Sequence, residues 1–217
     1  MRIGILASTQ KPMKELERRT SLLARLVAGR ARLDIIPSDC PLKELKTRED
    51  HRIATPFMVE AAQREEGRYG AYIIGCLGDA GLNELRHATS TPVIPPSRST
   101  YMMAATMFGR IVVLANNQEG AELRKSIFRE MGIDQSLSQV IVTNRAPLDY
   151  VHTPDEALKR VEALLAERED TSASAVIPTC ASLGVLLEER EIQHIAGMRV
   201  VNPLRIAIRI AEVICTS

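Results

Sequence analysis

The segment Ala71-Tyr-Ile-Ile-Gly-Cys76 is a short apolar run that ends in a cysteine, and Ala175-Val-Ile-Pro-Thr-Cys180 repeats this pattern 104 residues later. Both runs have the length and the apolar character of a strand that helices cover on both faces of a parallel sheet. In open sheets of this kind, ligands bind beyond the carboxyl ends of the strands. We therefore expect Cys76 and Cys180 to occupy equivalent positions at ligand-binding edges.

Two further pairs of segments recur in the same order along the chain. Arg2-Ile-Gly-Ile-Leu-Ala7 is similar to Arg110-Ile-Val-Val-Leu-Ala115 at an offset of 108 residues. Val93-Ile-Pro-Pro96 is similar to Val200-Val-Asn-Pro203 at an offset of 107 residues. Each match alone is short, but three matches at nearly one spacing are typical of an internal duplication. The repeat predicts two similar halves of about four strands each.

Short apolar runs alternate with longer amphipathic segments throughout the chain. Strands are predicted at Arg2–Ser8, Leu33–Pro37, Ala71–Cys76, Pro92–Pro95, Arg110–Asn116, Gln139–Asn144, Ala173–Cys180 and Met198–Asn202. Helices are predicted at Met13–Ala28, Ile53–Glu66, Gly81–Ala88, Thr100–Phe108, Gly120–Met131, Asp155–Arg168, Leu183–Arg190 and Leu204–Val213. This alternation predicts an α/β fold with parallel sheets and right-handed crossovers.

The composition excludes several classes of function. The 217 residues include 28 Lys and Arg against 27 Asp and Glu, so the net charge is +1 and gives no general attraction to nucleic acid or anionic membrane. With three Phe, four Tyr and no Trp, the chain also lacks aromatic platforms for stacking bases. The apolar run Ile3–Ala7 is too short for an export signal, and no run approaches the ~20 residues of a membrane span. We expect a cytoplasmic protein with reduced thiols.

The four cysteines, Cys40, Cys76, Cys180 and Cys215, are widely spaced and form no Cys-x-x-Cys pair, so no metal site is expected. A cysteine at a strand end is often simply a small core residue, and this interpretation stays open for Cys76 and Cys180. A disulfide between them is a further alternative, which a reducing compartment disfavours. Their equivalence within the repeat favours a shared chemical role.

A longer motif surrounds the first of these cysteines. The stretch Gly75-Cys76-Leu77-Gly78-Asp79-Ala80-Gly81-Leu82 resembles the first-cysteine motif of the hydantoin racemase branch of the aspartate/glutamate racemase superfamily. Cys180 lies where that family carries its second cysteine. The resemblance implies two pseudo-symmetric, flavodoxin-like halves with parallel sheets and the active site between them. It also implies a C-terminal helix that returns to the first half, so we expect one domain at 1–96 plus 204–217 and another at 97–203.

The resemblance further implies a racemase or epimerase that needs no cofactor and uses Cys76 and Cys180 as its acid and base. Racemisation removes a weakly acidic proton from one face of a carbon and returns a proton to the other face. Two residues on opposite sides can do this without moving. A thiol has a pKa near 8.5, which falls at a helix N-terminus, so a thiolate can act as a general base. The expected substrate is a small molecule, an amino acid or a derivative that is hydantoin-like or acidic.

Several residues near the strand ends are candidates for substrate binding. Backbone N–H groups beside the two cysteines suit a carboxylate or a developing enolate, and they belong to Leu77, Gly78, Thr179, Ala181 and Ser182. The hydroxyls of Ser8 and Thr9, after the first strand, could hold a substrate carboxylate or could cap the next helix. The same alternatives apply to their repeat equivalents, Asn116 and Asn117. Arg98 could pair with an acidic substrate or could be a solvated surface residue.

Two minor predictions concern other polar residues. Asp79 is expected to cap the helix that follows Cys76, although it could instead tune the thiolate. The four histidines, which are His51, His87, His152 and His194, follow no predicted strand and are expected on the surface.

Other functions remain open at this point. The second motif is Thr179-Cys180-Ala181-Ser182, where the family usually has Gly-Cys-Ala-Gly, so the substrate is not fixed. The same superfamily contains a decarboxylase that uses one cysteine and an isomerase that forms a covalent adduct. A small-ligand-binding module without turnover is an alternative from another class. Racemases of this kind often assemble, so we expect a homo-oligomer and no nucleic-acid or membrane partner.

Overall fold

A computed structural model describes residues 2–10, 12–27 and 31–216 of the chain. Residues Met1–Pro96 together with Leu204–Ser217 form one compact unit, and Ser97–Pro203 form a second. We call these units 1 and 2. Among the described residues, no helix is long and apolar enough to cross a membrane.

Strands and helices alternate through the described residues. The strands are β1 (Arg2–Leu6), β2 (Arg32–Ile36), β3 (Ala71–Ile74), β4 (Val93–Ile94), β5 (Ile111–Ala115), β6 (Leu137–Val142), β7 (Ala175–Pro178), β8 (His194–Ile195) and β9 (Met198–Val200). The helices are α1 (Met13–Ala24), α2 (Arg48–Arg64), α3 (Leu82–Ala88), α4 (Pro96–Phe108), α5 (Gln118–Glu130), α6 (Asp149–His152), α7 (Pro154–Ala166), α8 (Ala181–Glu189) and α9 (Pro203–Thr216).

The sheet of unit 1 has the strand order β2-β1-β3-β4, and its strands pair in parallel. Its central strands are mainly apolar: β1 is buried from Ile3 to Leu6, and all four residues of β3 are buried. This is the pattern expected of a strand that is covered on both faces. The chain order reverses between β1 and β3, so the carboxyl ends of these two strands form the switch point where α/β sheets bind ligands.

The sheet of unit 2 has the order β6-β5-β7-β9-β8. Its first four strands are parallel and repeat the order of unit 1, with β5 and β7 at the switch point. The α/β fold with two similar, mainly parallel sheets is therefore confirmed. The expectation of about four strands missed β8, which pairs antiparallel with β9. The connecting residues Ala196 and Gly197 both have positive φ, as a tight hairpin turn requires.

One helix differs from its predicted range in a way that affects function. The predicted helix starts at Ile53, but α2 starts at Arg48. A capping box fixes this earlier start: Thr47 Oγ1 accepts from the Asp50 N–H at 3.0 Å, and Asp50 Oδ2 accepts from the Thr47 N–H at 2.9 Å. The extra turn carries His51.

The other helix predictions differ mainly at their ends. Helix α1 ends at Ala24, and Ala28, the predicted end, lies outside the described residues. The four-residue helix α6 was not predicted because a segment this short carries no recognisable period.

Candidate active site

In unit 1, the switch point brings together Ser8 and Cys76. Leu6 of β1 pairs with Ile74 of β3, and Ser8 and Cys76 each lie two residues beyond these partners. The segments that follow β1 and β3 stay close together here, because the Gly75 N–H donates to the Leu6 carbonyl at 2.8 Å. A Cβ at Gly75 would lie 2.2 Å from that carbonyl oxygen, so only glycine fits. Cys76 thus lies just beyond the end of β3.

The thiol of Cys76 has polar neighbours. The Gly78 N–H donates to Cys76 Sγ at 3.3 Å. His51 Nε2 lies 3.6 Å from the same sulfur. The side chain is partly exposed and packs at the margin of a core cluster that includes Met58 and Leu82. A backbone donor and an imidazole next to the sulfur favour a thiolate over a thiol.

His51 corrects the expectation that all four histidines are surface residues. The other three are exposed, but His51 is only partly exposed and contacts Cys76. It was missed because its position depends on the extra turn of α2, which no apolar period indicates. The Thr47-x-x-Asp50 capping box is the sequence signal that could have found it.

The turn after Cys76 brings Gly78 close to the imidazole. A Cβ at Gly78 would lie 2.4 Å from His51 Cε1. The turn is closed by the Asp79 N–H, which donates to the Cys76 carbonyl at 3.0 Å. Leu77 is 1% exposed, backbone and side chain together, so its part in ligand binding stays a prediction. Glycine at 78 therefore leaves the space that the imidazole needs.

Asp79 is not itself the N-cap residue of the following helix. The N-cap of α3 is Gly81, which has φ +71° and makes no side-chain capping bond. Asp79 itself has φ +52° and is buried. Asparagine and aspartate tolerate this left-handed backbone better than other residues with a Cβ. The turn geometry thus suits an aspartate at this position, and a capping role or an effect on the Cys76 thiolate stays a prediction.

Ser8 and Thr9 are both buried, at 7% and 6% exposure. Neither caps α1, whose N-cap is Pro12 without a side-chain capping bond. The capping alternative for these two residues is therefore wrong, and their hydroxyls remain candidates for substrate binding.

In unit 2, the corresponding edge brings together Asn116 and Cys180. Leu114 of β5 pairs with Pro178 of β7, and Asn116 and Cys180 each lie two residues further on. Asn117 has a structural role, because its Oδ1 accepts from the Gly120 N–H at 2.7 Å and caps α5. For Asn117, capping is the interpretation that the structure supports.

Cys180 is the N-cap residue of α8 and is 6% exposed. It belongs to a core cluster with Tyr150 and Leu183, so its surroundings are more apolar than those of Cys76. The pKa of Tyr150 is raised, first by burial and then by the neighbouring Cys180. The Tyr150 hydroxyl lies 3.0 Å from Thr143 Oγ1. A neutral phenol therefore accompanies this second thiol.

Thr179 anchors the end of β7, since its Oγ1 donates to the Leu114 carbonyl at 2.6 Å. It takes the place that Gly75 has in unit 1: the Thr179 N–H also donates to the Leu114 carbonyl, at 3.2 Å, as the Gly75 N–H does to the Leu6 carbonyl. The Thr179 N–H, a candidate for ligand binding, is therefore engaged within the sheet. The Thr179 carbonyl accepts from Arg124 Nη2 at 3.4 Å. The hydroxyl of Thr179 is thus committed to the sheet rather than available to a ligand.

The remaining candidates have different surroundings. Ser182 is buried, whereas Ala181 is partly exposed in the first turn of α8. Arg98 lies on α4 and forms an ion pair with Glu130 at 2.8 Å, so a protein carboxylate already matches its charge. The role of Arg98 toward an acidic substrate stays a prediction.

The two other cysteines differ from Cys76. Cys40 is fully buried. Burial raises the pKa of the Cys215 thiol on α9. In the part of the chain that the structure describes, no three His, Cys, Asp or Glu side chains are arranged to hold a metal ion.

Known proteins resemble this chain along most of its length. The profile of the family described as Asp/Glu/Hydantoin racemase matches residues 7–211. The hydantoin racemase of Paenarthrobacter aurescens is 22% identical over 166 residues, which cover 75% of this chain and 70% of that protein. The hydantoin racemase of Pseudomonas sp. (strain NS671) is 24% identical over 168 residues, which cover 76% of this chain and 66% of that protein.

A solved structure of an allantoin racemase from Klebsiella pneumoniae is similar in fold. Its TM-score is 0.86 at 17% identity, covering 100% of this chain and 88% of that chain. The family match spans nearly the whole sequence, and the expectation of an isomerase of the racemase type is confirmed at the level of the family. The chain belongs to the Asp/Glu/Hydantoin racemase family.

Proposed function

We propose that this protein is a racemase or epimerase that needs no cofactor, and that Cys76 and Cys180 serve as its two acid–base groups. One observation carries the proposal. Cys76 follows β3 and Cys180 follows β7, and these strands have the same place in the orders β2-β1-β3-β4 and β6-β5-β7-β9. Each cysteine therefore lies at the switch point of its own unit. We also propose that the two units are the two domains of the enzyme, with the substrate bound between them.

The proton balance of the reaction needs one thiolate and one thiol. A thiolate takes the proton from the substrate carbon and becomes a thiol, and the other thiol donates a proton to the opposite face and becomes a thiolate. Racemisation in the reverse direction exchanges these roles. No electrons are transferred to the protein, and no bond other than C–H and S–H is formed or broken.

The surroundings of the two sulfurs suggest which one begins as the base. Cys76 has an N–H donor at 3.3 Å and the imidazole of His51 at 3.6 Å. Cys180 is buried among mainly apolar side chains. We infer that Cys76 is the thiolate that begins the reaction. This state is ready for the enantiomer whose reacting C–H bond faces Cys76.

The imidazole of His51 would act through Cys76. As an imidazolium it would stabilise the thiolate, as in other Cys–His pairs. Because the surroundings of Cys76 and Cys180 differ, the forward and reverse reactions would have different rate constants. The equilibrium constant between the enantiomers stays the same.

The experiment that tests this function is α-proton exchange in deuterated water. Single enantiomers of amino acids, hydantoins and dicarboxylic acids would be incubated with the protein and followed by NMR. If the protein is a racemase, its substrate gains deuterium at the reacting carbon and the substrate solution loses its optical rotation. A ligand that binds without exchange would contradict the proposal and favour a binding module.

A further inference from the structure

A buried arginine lies beside the strand end that carries Cys180. Helix α5 buries one face against its sheet, and Arg124 is on this face with Ala121, Ile127 and Phe128. Arg124 is only 5% exposed. Arginine is seldom buried to this extent unless a partner matches its charge.

The protein provides Arg124 with few hydrogen-bond partners. Its Nη2 donates to the Thr179 carbonyl at 3.4 Å, which is long for such a bond. Its Nε and Nη1 are enclosed, and within the described residues neither has a hydrogen-bond partner. The comparable buried arginine of unit 1, Arg19 at 7% exposure, forms an ion pair with Glu15 at 2.5 Å. Arg124 has no such carboxylate in the described part of the chain.

A guanidinium carries its positive charge wherever it lies in a protein. Water could accept its hydrogen bonds but would bring no counter-charge. An unmatched charge in a low-dielectric site is strongly destabilising. An anion from outside the chain would offset this cost.

We propose that Arg124 binds the carboxylate of the substrate, an inference that deepens the racemase function proposed above and rests on it. The contact with the Thr179 carbonyl places the guanidinium at the carboxyl end of β7, one residue before Cys180. A planar guanidinium matches a carboxylate in shape and charge. The substrate class is then a free carboxylate, such as an amino acid or an acidic derivative, rather than an uncharged ring.

The first test measures carboxylate binding without turnover. The probe is malonate, and its uncharged analogue malonamide is the control ligand. At about 100 times its dissociation constant, malonate is expected to raise the thermal unfolding midpoint by roughly 5–10 °C. The effect should disappear in Arg124→Met and persist in Arg129→Met, which removes an exposed arginine from the same helix.

The same variants separate anion binding from a structural role. In anion-free buffer, Arg124→Met should unfold at the same temperature as the wild type or higher, because it removes an unmatched buried charge. Arg124→Lys keeps the charge and should retain a weaker response to malonate. A lower midpoint for Arg124→Met, equal responses in all variants, or stabilisation by inorganic phosphate but not by malonate would each overturn the proposal.

A second arm uses exchange of the substrate α-proton. The wild type should exchange carboxylate substrates about 10–150-fold faster than the matching amides, and Arg124→Met should lose this preference. If malonate binds through Arg124 but no compound exchanges its proton, the anion site stands and the racemase function fails. If exchange occurs without any preference for carboxylates, the racemase function stands and this inference fails.

Discussion

His51 Nε2 lies 3.6 Å from Cys76 Sγ. His51 is in the first turn of α2, and Cys76 follows the end of β3, 25 residues later in the sequence. This pair distinguishes Cys76 from the other cysteines of the chain. We expect His51→Gln to slow alkylation of Cys76 at neutral pH by about 10-fold, because a thiol without an activating partner is only a few per cent ionised. Mass spectrometry after iodoacetamide treatment measures this rate. His87→Gln, an exposed-histidine control, should leave it unchanged.

The space beside the imidazole gives an independent test of the same pair. In Gly78→Ala, the new Cβ would lie 2.4 Å from His51 Cε1, so the ring must move away from the sulfur. We expect this variant to fold normally and to show the slow alkylation of His51→Gln. The double variant should be no slower than either single one. Additive losses would show that Gly78 acts through something other than His51.

Labelling should also discriminate among the four thiols of the native protein. Cys76 is expected to react first, because it is partly exposed and has polar neighbours. Cys40 is fully buried, and Cys215 has a raised pKa because of burial, so both should react at least 10-fold more slowly near pH 7. Peptide mapping at short labelling times measures the order. Modification of Cys40 before Cys76 would contradict this order of reactivity.

The capping box that positions His51 should respond to pH. Burial tends to raise the pKa of Asp50, but hydrogen bonds from the Lys46 and Thr47 N–H groups outweigh this and lower the pKa overall. Its stabilising contribution is therefore present above the unfolded value near 3.9 and is lost as the pH falls below it. Urea unfolding between about pH 7 and pH 3 should show a smaller loss of stability for Asp50→Ala than for the wild type. An identical pH dependence in both proteins would exclude this role.

Sequence patterns predicted the parts of this fold that repeat. The strand ends at Cys76 and Cys180 follow from continuous apolar runs, and their equivalence follows from the duplication. The four parallel strands of each sheet follow the same order, which agrees with both.

Residues whose role depends on contacts between distant segments could not be found in this way. His51 lies on a turn that a capping box adds to α2, and Arg124 falls on an apolar helix face where a charged residue looks like an irregularity. Hydrophobic periodicity reports which face of an element is buried, but it carries no information about which side chain meets which strand end.

In the proposed mechanism, Cys76 and Cys180 act on opposite faces of one carbon. Replacing one thiol by a hydroxyl removes the base for one enantiomer and leaves the base for the other. Cys76→Ser should therefore still exchange the α-proton of one enantiomer, and Cys180→Ser that of the other. Racemisation itself should fall by about 10²–10⁴ in both variants. Cys215→Ser, a cysteine far along the chain on α9, serves as the control and should keep full activity.

The most direct measurement is deuterium incorporation into each pure enantiomer by these two variants, followed side by side in heavy water. Cys76→Ser and Cys180→Ser are expected to show opposite enantiomer preferences, with racemisation lost in both. The same preference in both variants, or full racemase activity in either, would contradict the assignment of these two cysteines as opposed acid and base.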